Sequence, residues 1–160
     1  MKLRNVLLSS IIMLSFALMN GCVEQTDLVK EKEVLLNVHK KDRAAHFGTD
    51  VQMLLEHQGD DFISISNGKI ERLSKQQIKD SFTSYFKNAV YYEWDDLEEP
   101  IVKISGDGSI AWMINRYKVE RKVTDHSGKE EMREFVYAGV TLYEKENGIW
   151  VRKANVSTFE

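Results

Sequence analysis

Residues 109–159 read SIAWMINRYKVERKVTDHSGKEEMREFVYAGVTLYEKENGIWVRKANVSTF. Three runs rich in β-branched and aromatic residues, 109–122, 129–144 and 149–159, are separated by the turn clusters Asp125-His126-Ser127-Gly128 and Glu146-Asn147-Gly148. The pattern predicts three strands, and turns this short make them antiparallel neighbours. Each run is about twice the usual strand length of ~5–6 residues. A sheet of such strands has to bend or carry bulges, with Gly139 the candidate position, and a bent sheet encloses a hollow on its concave side. Ala111, Met113 and Tyr117 alternate with Trp112 and Ile114, while Phe135 and Tyr137 alternate with Val136, Ala138, Val140 and Leu142, so both faces are apolar. One face has to be covered from within the chain; the other predicts a partner surface, read as a homodimer through the outer face.

Working back from these strands, Val90, Tyr92 and Trp94 alternate with Tyr91, Glu93 and Asp95, and residues 101–105 make a short strand before the turn Gly106-Asp107-Gly108. Ser74 and Gln77 have capping-box spacing and open a helix with Ile78, Phe82, Tyr85 and Phe86 on one stripe. Before it, Asn67-Gly68 predicts a tight hairpin between 62–66 and 69–72. Thr49 and Gln52 predict a second capping box for a short helix that Gly59 ends. Residues 28–47 predict the first helix, with Leu28, Leu35, Val38 and Ala45 at helical spacing.

The first residues belong to a different class. Lys2 and Arg4 precede the apolar run Val6 to Met19, which leads to Cys22, the only cysteine. A basic start and a short apolar core describe a secretory signal. The run is too short for the ~18 residues that span a bilayer, and Ser9, Ser10 and Ser15 break it. Met19-Asn20-Gly21-Cys22 resembles a bacterial lipobox, which implies cleavage before Cys22 and lipidation of its sulfur. The expected organisation is a signal peptide at 1–21, a lipidated tether at 22–27 and one domain at 28–160. The expected place is the bacterial cell envelope, on the extracytoplasmic side of a lipid bilayer. No second cysteine exists to form an internal disulfide. With 22 basic against 25 acidic residues in 160, nothing in the charge balance supports nucleic-acid binding.

The order of elements and several short pieces resemble the cone fold of the nuclear transport factor 2-like superfamily, in its SnoaL-like branch. The residues that carry the likeness are Ala45 through Asp50, Asp60-Asp61-Phe62 leading into Asn67-Gly68, and Asp107-Gly108-Ser109-Ile110-Ala111-Trp112. Tyr143-Glu144-Lys145, Asn147-Gly148-Ile149-Trp150 and Ser157-Thr158 complete the set. The resemblance implies an α+β domain in which three N-terminal helices pack on a strongly curved antiparallel sheet. In active relatives the hollow holds a ligand and a few polar residues, often an Asp or His acting as acid or base. Many relatives carry histidines on the last strand, where this chain has Ala154 and Val156.

Candidate chemistry is sparse. His39, Asp42 and His46 are spaced by three and four residues and share one side of the first helix. An Asp beside a His could serve proton transfer. A shared metal ion fits poorly, because His39 and His46 are about 10.5 Å apart along a helix axis. On the resemblance, Asp61 matches loosely the position of a general base; the alternative is a solvated turn beside Asp60. Tyr85, Tyr92, Trp94, Asn115, Tyr117 and Tyr137 could line the hollow or simply pack it. No phosphate loop, nucleophile elbow, nucleotide fingerprint or metal cluster is present, and no cofactor is expected. Three functions stay open: a lipid-anchored domain binding a small, partly apolar molecule; an acid–base enzyme of the isomerase or dehydratase kind; or a partner-binding module whose cone is filled.

Overall fold

The computed structural model describes residues 26–160; Cys22, the signal peptide and most of the tether lie outside them. Asp27 caps the first helix, α1 (Leu28–Gly48), accepting hydrogen bonds from the backbone N–H of Val29 and Lys30 at 3.1 Å each. Leu35, Val38, His39, Ala45 and His46 make its buried face. The helix ends when Thr49 enters the left-handed region (φ 50°) and donates its N–H to Ala45 and His46. Thr49 is therefore not the cap of the next helix. Asp50 takes that place for α2 (Val51–Leu55), accepting from the Met53 N–H at 3.0 Å. The residue that terminates one helix is unavailable, in left-handed geometry, to start another.

Gly59 has a role other than stopping α2. It lies inside β1 (Gln58–Ser66), where a Cβ would stand 2.8 Å from the Arg152 carbonyl oxygen. The strands can approach only because that atom is missing. Asn67 (φ 50°) and Gly68 (φ 75°) turn β1 into β2 (Lys69–Leu73), as a two-residue hairpin requires. The predicted capping box opens α3 (Lys75–Phe86) with both reciprocal bonds in place between Ser74 and Gln77.

Then come β3 (Ala89–Asp96), β4 (Ile101–Ile104), β5 (Ile110–Thr124), β6 (Glu130–Glu146) and β7 (Ile149–Phe159). The order is β2-β1-β7-β6-β5-β3, with β4 also on β5. The sheet is curved, unclosed and mixed rather than wholly antiparallel, because β1 runs parallel to β7 while every other pair is antiparallel. Short turns dictate direction only between consecutive strands, and no turn joins β1 to β7.

Three register breaks set which side chains face inward. In β3 the pairing moves from Tyr91–Arg121 to Glu93–Glu120, leaving Tyr92 as the extra residue. In β7 it moves from Tyr143–Arg152 to Leu142–Ala154, leaving Lys153 over. Between β1 and β7 it shifts between Gln58 and Ile63, around Asp61 at φ 57°. Gly139 is no bulge; it continues the ladder from Asn115 to Ser157. What it provides is room, since a Cβ there would collide with the phenol of Tyr137, two residues back on the same face.

The concave face packs on the helices. Leu35 and Val38 of α1 meet Val102, Ala111, Met113, Tyr143 and Trp150, and Ala45, Leu54 and Phe86 meet Ala89, Tyr91, Trp94, Tyr117 and Val119. The convex face keeps Trp112, Ile114, Val140 and Val156 partly exposed around a shallow apolar groove.

Candidate functional site

Between α1, α3, β1 and the concave face is a cavity of about 290 Å³. That is about twice the ~150 Å³ of an engineered protein cavity that admits benzene. From α1 it receives His39, Asp42 and His46; from β5 and β6, Asn115, Tyr117, Tyr137 and Tyr143; from β7, Arg152 and Asn155. The helical spacing thus brings His39, Asp42 and His46 onto one wall. Each is then bound differently.

His39 Nε2 donates to the Asp96 carboxylate, 2.8 and 3.0 Å from its two oxygens, which leaves Nδ1 to accept from the Asn115 amide at 3.5 Å. Asp42 pairs with Arg152 at 2.8 Å, and Arg152 also donates to the Leu54 carbonyl at 2.6 Å, tying β7 to the end of α2. Burial pushes the Asp42 carboxyl above its ordinary value, opposed by Arg152, His39 and His57. His46 Nδ1 donates to the Asp42 carbonyl at 2.7 Å, so Nε2 is the acceptor of the neutral ring. Burial holds this imidazole neutral, its pKa lowered to about 4.

An aromatic ladder crosses the cavity floor. His46 lies 4.1 Å from Trp94 between ring centroids; Trp94 stacks on Tyr117 at 4.7 Å, Tyr117 on Tyr137 at 4.5 Å, and the edge of Phe159 meets Tyr137 at 5.5 Å. Burial raises the Tyr117 and Tyr137 hydroxyls above their usual range, so they stay protonated. The Asn155 amide donates to the Tyr137 oxygen at 2.6 Å. Gln58, Trp94, Asn115 and Arg152, all in the cavity wall, each keep a buried polar atom without a partner: Nε2, Nε1, Oδ1 and Nε respectively. Unpaired buried groups are uncommon and costly, and they concentrate here.

The ladder continues into a more open aromatic recess between α3 and the far ends of β3, β5 and β6, lined by Tyr85, Tyr91, Phe135 and Arg121. Of the sequence candidates, Trp94, Asn115, Tyr117 and Tyr137 thus line the cavity and Tyr85 the recess. Tyr92 does neither. It is 54 % exposed on the other face, because the bulge in β3 resets the alternation and turns Tyr91 and Trp94 inward together. Asp61 is exposed, at the bulge in β1, and is not among the residues that line the cavity. Among the described residues no group of three or more His, Cys, Asp or Glu side chains is arranged to hold a metal ion.

Arg152 and Asn155 were not foreseen. Strict alternation from Trp150 puts Arg152, Ala154 and Val156 inward together; the extra residue Lys153 keeps Arg152 inside, sends Ala154 and Val156 to the convex groove, and brings in Asn155 and Ser157. The last strand therefore does carry polar groups to the hollow.

Solved structures with this fold exist. A nuclear transport factor 2-like protein from Cytophaga hutchinsonii superposes with a TM-score of 0.64 at 16% identity, over 79% of this chain and 96% of that one. The fold is the nuclear transport factor 2-like cone. A ketosteroid isomerase-like protein from Erwinia carotovora atroseptica shares this cone at a TM-score of 0.56 and 15% identity, covering 79% of this chain and 94% of its own. So does a nuclear transport factor 2-like protein of unknown function in nutrient uptake from Rhodospirillum rubrum, at 0.60 and 15%, covering 79% and 98%. No family model matches the chain, and no curated protein matches its sequence. At these identities the likeness establishes the cone and leaves chemistry to the site itself.

Proposed function

We propose that this protein is a lipid-anchored binding domain that takes a small, partly apolar molecule into its cone. The observation that supports this reading most is the cavity of about 290 Å³, with stacked aromatic walls and four residues holding buried polar atoms without partners. An apolar chamber with a few convergent polar groups is the usual make-up of a small-molecule site. A cone filled by its own side chains would leave no such space. The anchor rests on the sequence around Cys22, and two or more acyl chains would hold the domain stably at a bilayer. Mass spectrometry of the native N-terminus tests it: a diacylated or triacylated Cys22 is expected, and an unmodified cysteine overturns it. The convex groove of Trp112, Ile114, Val140 and Val156 supports a homodimer as the resting state.

Acid–base catalysis is the second reading, favoured by one observation: His46 presents an unprotonated Nε2 in the wall shared by the cavity and the recess. Asp42 is a poorer base, because Arg152 occupies its carboxylate. The two readings separate in one experiment. A thermal-shift screen of aromatic and alicyclic alcohols, ketones and carboxylates should raise the melting temperature for a subset, with every hit recovered unchanged. A converted hit would establish turnover, and no hit at all would remove the binding reading.

A further inference from the structure

We propose that Arg121 is an anion seat at the mouth of the cone, which would take the carboxylate of a ligand whose apolar body lies along the aromatic ladder. The inference rests on the binding reading above and narrows its ligand to an amphiphilic carboxylate.

The placement of Arg121 is unusual in three ways. Its guanidinium lies over two rings, 4.9 Å from the Tyr85 centroid and 5.0 Å from that of Phe135. Such cation–π contacts use none of the guanidinium's N–H donors, which are what a carboxylate binds. It also lacks a carboxylate. Arg43, Arg116, Arg133 and Arg152 each have an acidic partner; among the described residues Arg72 and Arg121 have none, and of these two Arg72 is exposed while Arg121 keeps a buried Nε without a partner.

Its cross-strand neighbour is of the same sign. Arg121 pairs directly with Arg133 in the β5–β6 ladder, so both side chains leave the same face. Like charges directly opposite are destabilising. Glu131 offsets Arg133 through a 3.0 Å contact, which leaves Arg121 as the uncompensated charge. Burial, and then Arg133, press its pKa below the ordinary value. An incoming carboxylate would relieve both.

The recess also adjoins the cavity, since His46, Phe82, Trp94, Tyr117 and Tyr137 line both. A ligand held at Arg121 by its charged end would lie along Trp94 and Tyr117 toward the polar groups near Asn115 and Arg152. Arg152 is the less suitable seat for the anion, because Asp42 already neutralises it.

Calorimetric titration of the purified full chain with 3-phenylpropanoate and with 3-phenylpropanol tests this. The carboxylate should bind about tenfold or more tighter than the alcohol, as a charge-assisted contact requires. In Arg121→Gln that preference should vanish while the alcohol binds as before, and Arg121→Lys should restore part of it. Equal binding of the two probes to the unaltered protein overturns the anion seat and leaves the cavity reading standing. A preference that survives in a folded Arg121→Gln variant moves the seat elsewhere and also overturns the assignment. Binding of neither probe removes both readings for this ligand class. Should Arg121→Gln fail to fold, the comparison of the two probes on the unaltered protein still decides.

Discussion

The rings of Tyr117 and Tyr137 lie 4.5 Å apart and 10° from parallel, on directly paired positions of the two longest strands. Cross-strand aromatic pairs stabilise a sheet locally. This one also fixes the cavity floor, because Tyr137 can fold along its strand only where Gly139 leaves room. Gly139→Ala is therefore expected to cost about 1–3 kcal/mol by overpacking and to break the hydrogen bond from Asn155 to Tyr137. Urea denaturation measures the first effect. An unchanged midpoint would show that Tyr137 does not depend on the missing side chain.

Removing the Arg152 guanidinium should strand a buried carboxylate. Arg152→Met is expected to destabilise the protein by about 3–5 kcal/mol, the usual result when one partner of a buried pair is lost. Replacing both members, Asp42→Leu with Arg152→Met, should recover most of that loss. Additive losses in the double variant would mean that the 2.8 Å contact contributes nothing of its own.

His46 sets an acid limit. Its folded pKa of about 4 lies below the ordinary value of 6.5, so between those values the unfolded chain binds the extra proton. Stability contributed by neutral His46 is thus fully present above about pH 6.5 and is lost as pH falls toward 4, by an amount on the order of 3 kcal/mol. Asp42, with its folded pKa raised, has the opposite sign: its contribution is present below 3.8 and is lost as pH rises through the folded value. The difference between the unaltered protein and His46→Phe isolates the histidine. The melting temperature of the unaltered protein should fall relative to that of His46→Phe from pH 7 to pH 4.5; a constant difference would contradict the buried neutral ring.

The convex face makes its own prediction. Analytical ultracentrifugation should show a dimer, and Val140→Lys in the groove of Trp112, Ile114 and Val156 should give a folded monomer with cavity binding retained. A monomeric unaltered protein at every concentration would remove the dimer.

Elements with strong local chemistry were legible in the sequence. Ser74 with Gln77, and Asn67 with Gly68, do in the fold what their spacing predicts. So was the wall formed by His39, Asp42 and His46, since a helix has one period throughout. Strands were read less well because each bulge resets a period of two, and nothing in the local residue pattern marks an extra residue at Tyr92 or Lys153. Those breaks exchanged Tyr92 for Tyr91 and hid Asn155 from the site, whereas Arg152 already follows from alternation with Trp150. The parallel β1–β7 pairing was illegible for another reason: both strands belong to it through tertiary approach at Gly59, which looked like a helix stop.

Occupation of the cone's interior is most directly tested by nuclear magnetic resonance of the labelled protein titrated with 3-phenylpropanol. Shifts should concentrate at the Trp94 indole N–H, the Asn115 and Asn155 side-chain amides and the rings of Tyr117 and Tyr137. Perturbations confined to Trp112, Ile114 and Val140, or none at saturating probe, would contradict the binding site.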